Sequence, residues 1–136
     1  MADVFTRKKR SEVMSKIRTR GNLSTEMRMI ALMSGQGIKG WRRNHPLPGR
    51  PDFVFRREKV AVFVDGCFWH GCPVHYVEPR TATAFWRRKI AGNRRRDYRV
   101  TRELRNMGWK VLRLWEHDLK RDRRLNAMTR LRALVR

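Results

Sequence analysis

The stretch GRPDFVFRREKVAVFVDGCFWHGCPVH, residues 49–75, contains two short apolar runs that point to the fold. The runs DFVF (52–55) and KVAVFVD (59–65) are rich in valine and phenylalanine, and the charged segment RREK (56–59) joins them. This pattern predicts two neighbouring strands in a hairpin. The residues that follow, 66–80, combine cysteines, histidines and aromatic residues without an apolar period, so we predict a loop there.

Helices are predicted on both sides of the hairpin. Apolar residues recur there at helical spacing, and glycines end two of the segments. The predicted elements are a helix over 23–37, a proline- and glycine-punctuated connection over 41–51, a long helix over 83–107, a third strand over 109–115 and a closing helix over 124–136 with Leu125, Met128, Leu131 and Val135 on one side. This order predicts an α/β protein in which helices pack on a mixed sheet.

The charge of the chain predicts a nucleic acid as its partner. The 136 residues, which suit one domain over 1–136, include 34 Lys and Arg against 12 Asp and Glu, a formal net charge of +22. Such an excess predicts binding to phosphates, and residues 1–20 form a basic N-terminal arm that either wraps a nucleic acid or stays solvated. We see no secretory start and no membrane-spanning run, so we expect a cytoplasmic protein without a membrane partner.

Two aspartates are expected to meet at one edge of the sheet. Asp52 begins the first strand of the hairpin and Asp65 ends the second, so the hairpin brings them together. Converging carboxylates would repel a phosphate unless a cation lies between them, and Mg²⁺ prefers a few carboxylates together with water and phosphate oxygens. The pair therefore predicts a Mg²⁺ site that serves phosphate chemistry. The alternative is that each aspartate caps a strand or pairs with a nearby arginine.

Cysteines and histidines after the hairpin are candidate zinc ligands. Thiolates and imidazoles suit a closed tetrahedral Zn²⁺ site, and five side chains compete for its four positions: Cys67, His70, Cys72, His75 and His117. Free thiols or a local disulfide are the alternatives for the cysteines. His70 lies five residues after Asp65. A neutral imidazole there could take a proton from water that attacks a phosphate, or it could be structural.

Aromatic residues in polar surroundings are candidates for contact with bases. Phe68 and Trp69 lie within the ligand-rich loop, and Trp86 lies near the start of the long helix. Such side chains stack on bases or wedge between them, unless they pack around the zinc or against the sheet. Two further acids have simple interpretations: Asp97 could pair with an arginine of its own helix, and Glu26 could favour the N-terminus of the first helix.

Four motifs resemble one family of enzymes. The segments LPGRPDFVF (47–55), VFVDGCFWHGCP (62–73), FWRRKIAGNRRRD (85–97) and GWKVLRLWEHDL (108–119) are similar to the very-short-patch repair (Vsr-type) DNA mismatch endonucleases. The resemblance extends over nearly the whole chain. It implies a restriction-endonuclease-like fold of three layers, α/β/α, with a structural zinc. It also implies an enzyme that nicks one DNA strand 5′ to the T of a T:G mismatch by Mg²⁺-dependent hydrolysis.

The resemblance also implies roles for individual residues. Asp52 would bind the catalytic metal and His70 would be the general acid or base near the scissile phosphate. Asp97 would support the site, paired with the group at position 65, and Glu26 would be an accessory acid. The N-terminal segment would grip the minor groove. The implied wedge beside the mismatch is Phe68, Trp69 and Trp86, and the implied zinc ligands are Cys67, Cys72, His75 and His117.

The chain departs from the family pattern in two places. The best-known member has Thr-His where this chain has Val64 and Asp65. Asp65 could therefore be a second Mg²⁺ carboxylate, as in an ordinary restriction-type nuclease, although the lysine that such sites often carry two residues later is here Cys67. The zinc ligands also differ in type and slightly in spacing, so the choice of His75 assumes a shift in register.

Two other functions are compatible with the sequence. One is a restriction-like or transposition-associated nuclease, which would cleave paired DNA as readily as mismatched DNA. The other is a non-catalytic zinc module that binds DNA or RNA through charge, although such a binder has little use for converging aspartates. Under the mismatch interpretation we expect double-stranded DNA with a T:G mismatch as the partner, one monomer on the DNA, and further repair proteins acting with it.

Overall fold

The fold consists of a small sheet and three helices within residues 25–135, which are the residues described by the computed structural model. The helices are α1 (25–35), α2 (Thr83–Asn106) and α3 (Arg124–Leu134), the strands are β1 (Trp41–Arg42), β2 (Phe53–Phe55), β3 (Val60–Asp65) and β4 (Lys110–Trp115), and a short 3-10 helix covers Glu116–Leu119. The predicted basic arm at 1–20 lies outside the described residues. In the described part of the chain, no helix is both long and apolar enough to span a membrane.

The four strands form one mixed sheet in the order β1-β2-β3-β4. β2 runs antiparallel to β1 and β3, which confirms the predicted hairpin, and β4 runs parallel to β3. α2 makes the crossover that a parallel pair requires. The parallel pairing places Asp65 beside Trp115, so the carboxyl ends of β3 and β4 meet at one edge.

Helices cover both faces of the sheet, which makes three layers, α/β/α. Alternate residues of β3 point to opposite faces. Because both faces are covered, every residue of β3 is buried, as its continuous apolar run indicates. The core shared with α1 and α3 includes Met29, Met33, Val62, Val64, Leu114, Met128 and Leu131, and the core shared with α2 includes Ala61, Phe63, Val100 and Leu104.

Two details differ from the sequence prediction. The segment 41–51, predicted as a connection, contains β1, whose two residues are too few to show a strand period. Leu125 was expected on the buried side of the closing helix, but it is 66% exposed. The buried stripe of α3 begins at Ala127, so Leu125 in the first turn points away from the core.

The turn before β2 requires a glycine. Gly49 has φ of 76°, and a Cβ at this position would clash with the side chain of Val100 in α2. The turn therefore packs closely against α2. This contact fixes the start of β2, where Asp52 lies.

Candidate active site and metal centre

The two predicted metal-binding aspartates lie at the same edge of the sheet. Asp65 is the last residue of β3, and Asp52 directly precedes β2. The antiparallel register brings Asp52 beside β3, where its Oδ2 accepts a hydrogen bond of 2.7 Å from the backbone N–H of Val64. The loop 66–80 leaves from this edge and carries His70. Donor atoms of Asp65, His70 and Asp97 lie within 4.8 Å of one another, and the charges of Asp65 and His70 both act on Asp52.

Asp52 occupies an unfavourable position for a negative charge. Burial, together with the charges of Glu26 and Asp65, raises its pKa from 3.8 to about 6 against the Val64 hydrogen bond and the charge of His70. Glu26, in α1, also pairs with Arg43. A cation beside Asp52 would relieve both the burial and the repulsion, and carboxylates are the ligands that hard divalent cations prefer. The donor group at this edge that could hold one metal ion consists of Asp65, His70 and Asp97, and Asp52 lies near it.

Two carboxylates flank the imidazole of His70. Its Nδ1 is hydrogen-bonded to Oδ2 of Asp97 in α2 and lies 3.8 Å from Oδ1 of Asp65. The hydrogen-bond partner of Asp97 is His70, and Arg113 contacts the carboxylates of both Asp65 and Asp97. When the N–H at Nδ1 donates a hydrogen bond to Asp97, Nε2 is the ring nitrogen with a free lone pair that can accept a proton. This is the arrangement of a histidine prepared for proton transfer.

The charges around His70 favour its protonated form. Burial by itself would lower the pKa of His70, but the hydrogen bond to Asp97 and the negative charges of Asp65 and Asp97 outweigh burial. The pKa of His70 is therefore raised above its usual value of 6.5. An imidazole whose protonated form is favoured in this way is suited to give a proton to a reacting group as a general acid.

Arg113 completes this network, and the sequence analysis missed it. Its Nη1 donates to both carboxylate oxygens of Asp65 at 3.1 Å. Burial raises the pKa of Asp65, whereas His70 and Arg113 oppose that rise. The signal in the sequence is a single basic residue inside the apolar strand VLRLW (111–115), on the face that Asp65 occupies in β3.

Four donor atoms of cysteine and histidine converge at the start of the loop and after β4. Cys67, Cys72 and His117 are buried and His75 is exposed, and both cysteines are free thiols. The Nδ1 atom of His117 lies 3.4 Å from Sγ of Cys67, 3.6 Å from Sγ of Cys72 and 3.2 Å from Nδ1 of His75. A tetrahedral site with zinc–sulfur and zinc–nitrogen bonds of normal length separates its donors by about 3.3–3.8 Å. The four residues, here called the Cys/His tetrad, therefore fit one metal ion.

The tetrad is supported by neighbouring groups. Burial raises the pKa of the Cys67 thiol to about 12, so a bound cation would be needed to hold this group as a thiolate. Glu116 accepts a 2.8 Å hydrogen bond from the backbone N–H of Cys67, which ties the loop to the end of β4. Trp115 stacks on the imidazole of His117. These contacts hold the donors in place around the site.

Three aromatic side chains, here called the aromatic cluster, pack together where the loop 66–80 meets α2. The cluster consists of Phe68, Trp69 and Trp86. The ring centroid of Phe68 lies 5.3 Å from that of Trp69 and 5.2 Å from that of Trp86. All three residues are partly exposed, and Asn93 of α2 donates to the backbone oxygen of Trp69 at 2.8 Å. The cluster is therefore a partly exposed aromatic surface, held in place by ring contacts and by the hydrogen bond from Asn93, and it is not part of the core.

Exposed arginines are numerous on α2. Within α2, the helix that carries Asp97, the exposed arginines are Arg87, Arg88, Arg94, Arg95, Arg96, Arg99, Arg102 and Arg105. Exposed guanidinium groups in this number favour binding to the phosphates of DNA. The hydrolytic groups, the aromatic cluster and the basic helix together define a candidate site of a nuclease that acts on a polyanion.

Comparison with known proteins agrees with this class. The sequence profile of the family "DNA mismatch endonuclease Vsr" matches residues 2–75. The chain is 42% identical over 122 residues to DNA mismatch endonuclease Vsr of Escherichia coli (strain K12), which covers 88% of this chain and 77% of that protein. It is 36% identical over 136 residues to the type II nicking enzyme V.NmeAIP of Neisseria meningitidis (serogroup A / serotype 4A, strain DSM 15465 / Z2491), which covers 96% of each.

The fold and the site thus define a DNA endonuclease of the strand-nicking class. The chain belongs to the Vsr family of DNA mismatch endonucleases. DNA is its partner, and its three-layer α/β/α fold with a mixed sheet is consistent with the restriction-endonuclease-like architecture that the motifs imply.

Proposed function

We propose that this protein nicks one strand of double-stranded DNA 5′ to the T of a T:G mismatch, by Mg²⁺-dependent hydrolysis in very-short-patch repair. The observation that carries the proposal is the His70–Asp97 pair beside Asp52, next to the partly exposed aromatic cluster. A mismatch nuclease needs a hydrolytic centre and a means of testing how easily the base stack opens. Both lie on one side of this molecule, in a member of a mismatch endonuclease family.

His70 is assigned to proton transfer. Its Nδ1 is held by Asp97, so in the neutral form of His70 Nε2 is the nitrogen that accepts a proton from the attacking water. The water oxygen bonds to phosphorus as the bond to the 3′-oxygen breaks, and a solvent water gives the departing 3′-oxygen its proton. The products are then a 5′-phosphate and a 3′-hydroxyl.

Asp52 is assigned to the catalytic cation, with Asp65 as a second carboxylate and Glu26 as an accessory acid. The support is the burial and mutual repulsion of these groups, which a divalent cation would relieve. When bound, Mg²⁺ supplies positive charge that neutralises the charge developing at the phosphorus centre. The carboxylates hold that charge at the edge of the sheet where His70 lies.

The Cys/His tetrad is assigned to structural zinc. The support is the donor set and its spacing, which leave no position open for a substrate once the four donors are bound. The ligands are Cys67, Cys72, His75 and His117. The ion would order the loop that carries His70.

The aromatic cluster is assigned to mismatch recognition. Replacing Trp86 with alanine is expected to weaken binding to a T:G duplex by about tenfold, because a side chain that stacks on bases contributes about 1–3 kcal/mol. Binding to a paired duplex is expected to change much less, since an intact stack resists a wedge. Fluorescence anisotropy with labelled duplexes measures both affinities. Val77→Ala, at an exposed loop position, is the control. Equal losses on both duplexes would contradict a role in mismatch recognition.

A nicking assay tests the proposed function directly. Two labelled duplexes that differ only in T:G or C:G at one position are incubated with the protein and Mg²⁺. We expect a single nick immediately 5′ to the mismatched T and none in the paired control. Equal cutting of both duplexes would instead establish a restriction-like nuclease. Binding without cutting would remove the assignments of Asp52 and His70. One active site per chain suits a monomer that cuts one strand, and other repair proteins would then process the nick.

A further inference from the structure

We propose that Arg113 is a positioning residue for strand nicking, which clamps Asp65 and Asp97 on two sides of His70 and thereby fixes the orientation of the imidazole. The inference rests on the proposed function of His70. It assigns a task to a residue that lies on β4, away from the loop that carries the histidine.

All three nitrogens of the Arg113 guanidinium are engaged. Nη1 donates to both carboxylate oxygens of Asp65, and Nη2 donates to the backbone oxygen of Asp97 at 3.1 Å. Nε donates to Oγ1 of Thr101 at 2.7 Å. The guanidinium carbon lies 4.1 Å from the centroid of the Phe63 ring. The side chain is only 21% exposed, so its contacts are inside the protein rather than with DNA.

These contacts link β3, β4 and α2 next to the imidazole of His70. Asp65 ends β3, Arg113 lies in β4, and Asp97 and Thr101 are one turn apart in α2. The two contacts to α2 fix that turn against the sheet, and the same turn directs the Asp97 carboxylate to Nδ1 of His70. The planar fork of arginine can serve these acceptors at once, whereas the ammonium group of lysine is a single point charge. The geometry of the imidazole therefore depends on a guanidinium at this position.

A residue that only stabilises the fold would make the same contacts as one that orients His70. The test must therefore separate a role in stability from a role in positioning the imidazole. If Arg113 only stabilises the fold, its replacement lowers the Tm and the fraction of folded protein. Loss of positioning lowers the nicking rate of the folded protein at saturating DNA and leaves KM unchanged, because Arg113 contacts the residues around His70 and not the DNA. It also changes the NMR signals of the His70 ring nitrogens, which report the hydrogen bond to Asp97.

The experiment compares Arg113→Lys with wild type and with Arg57→Lys, the same substitution at an exposed position of the turn between β2 and β3. Nicking of a T:G duplex in Mg²⁺ and the ¹H–¹⁵N spectrum of the His70 ring are recorded on the metal-loaded proteins. For Arg113→Lys we expect nicking slower by about 10²-fold, the size of effect that a small misplacement of a catalytic group produces. KM should stay unchanged and the His70 ring signals should shift. Arg57→Lys should match wild type.

Two results would overturn the proposal. One is a folded Arg113→Lys protein with the wild-type nicking rate and ring signals, and the other is a slower rate without any change in the ring signals. If Arg113→Lys does not fold, Thr101→Val keeps the guanidinium and removes one of its acceptors. It should slow nicking several-fold and shift the ring signals, and a wild-type result in both would also overturn the proposal. If the wild-type protein does not nick, the proposed function fails, while the ring signals still test whether Arg113 orients His70.

Discussion

Asp52→Asn is expected to slow nicking of a T:G duplex by at least about 10³-fold, because a catalytic cation contributes several kcal/mol and each 1.36 kcal/mol is a factor of ten. Asparagine keeps an oxygen that can accept the hydrogen bond from Val64, so the strand end should remain in place. The substitution removes one negative charge, so DNA binding should be retained or strengthened. Single-turnover nicking and anisotropy measure the two effects. Wild-type nicking by the variant would remove Asp52 from the mechanism.

The same substitution is expected to stabilise the protein in the absence of Mg²⁺. The pKa of Asp52 is raised to about 6 in the folded state from 3.8. A raised carboxyl pKa gives stability that is present below pH 3.8 and is lost as the pH rises through about 6. Relative to Asp52→Asn, the wild type should therefore lose on the order of 1 kcal/mol of unfolding free energy between pH 5 and pH 7.

Urea unfolding of both proteins at the two pH values measures this loss. Asp122→Asn, which removes an exposed carboxylate, is the control and should show no such pH dependence relative to wild type. Parallel pH profiles for wild type and Asp52→Asn would mean that burial at the edge of the sheet does not perturb this carboxyl group. Together, the two measurements would show that Asp52 is placed for function at the expense of stability.

Removal of the tetrad metal is expected to have the largest effect on folding. Wild-type protein should contain one zinc ion per chain, and Cys72→Ser should lose it. The loop 66–80 has no regular secondary structure, so its order depends on the four donors and a few contacts. Structural zinc contributes many kcal/mol to small folds, and we expect the Tm to fall by more than about 10 °C in Cys72→Ser or with a chelator. Elemental analysis and thermal unfolding provide the measurements.

The matched control for this prediction is Val74→Ser, a similar replacement at a position of the same loop that is 71% exposed. It should keep both the zinc and the Tm. A wild-type protein without stoichiometric metal, or with a Tm insensitive to chelation, would contradict the assignment of the tetrad. Circular dichroism after chelation would then show whether the loop is held by the protein contacts alone.

Much of the fold follows from local patterns in the sequence. The apolar runs of β2 and β3 and the short turn between them predict the hairpin, and the hairpin brings Asp52 and Asp65 to one edge. The position of β1 could not be predicted, because a two-residue strand forms only when a neighbouring strand offers hydrogen bonds. The buried side of α3 depends on where the helix begins relative to the sheet, which the periodicity of Leu125 and its neighbours does not determine.

The site was predictable where its residues lie close together in the chain or belong to a known motif. The pairing of His70 with Asp97 joins residues 27 positions apart, and the contact of Arg113 with Asp65 joins residues 48 apart. Such contacts depend on how α2 crosses the sheet, which no local pattern specifies. A basic residue inside an apolar strand indicates a buried partner, but only the register of β3 and β4 identifies that partner as Asp65.

His70 lies in the chain between Cys67 and Cys72, so two tetrad donors bracket the imidazole. If the tetrad holds zinc, a newly made chain without its ion would still attract DNA through its arginines but would lack a correctly placed histidine. Nicking of DNA would then begin only after the chain has bound its zinc ion. For a protein that nicks DNA, this order of events would prevent strand breaks by chains that have not yet bound metal.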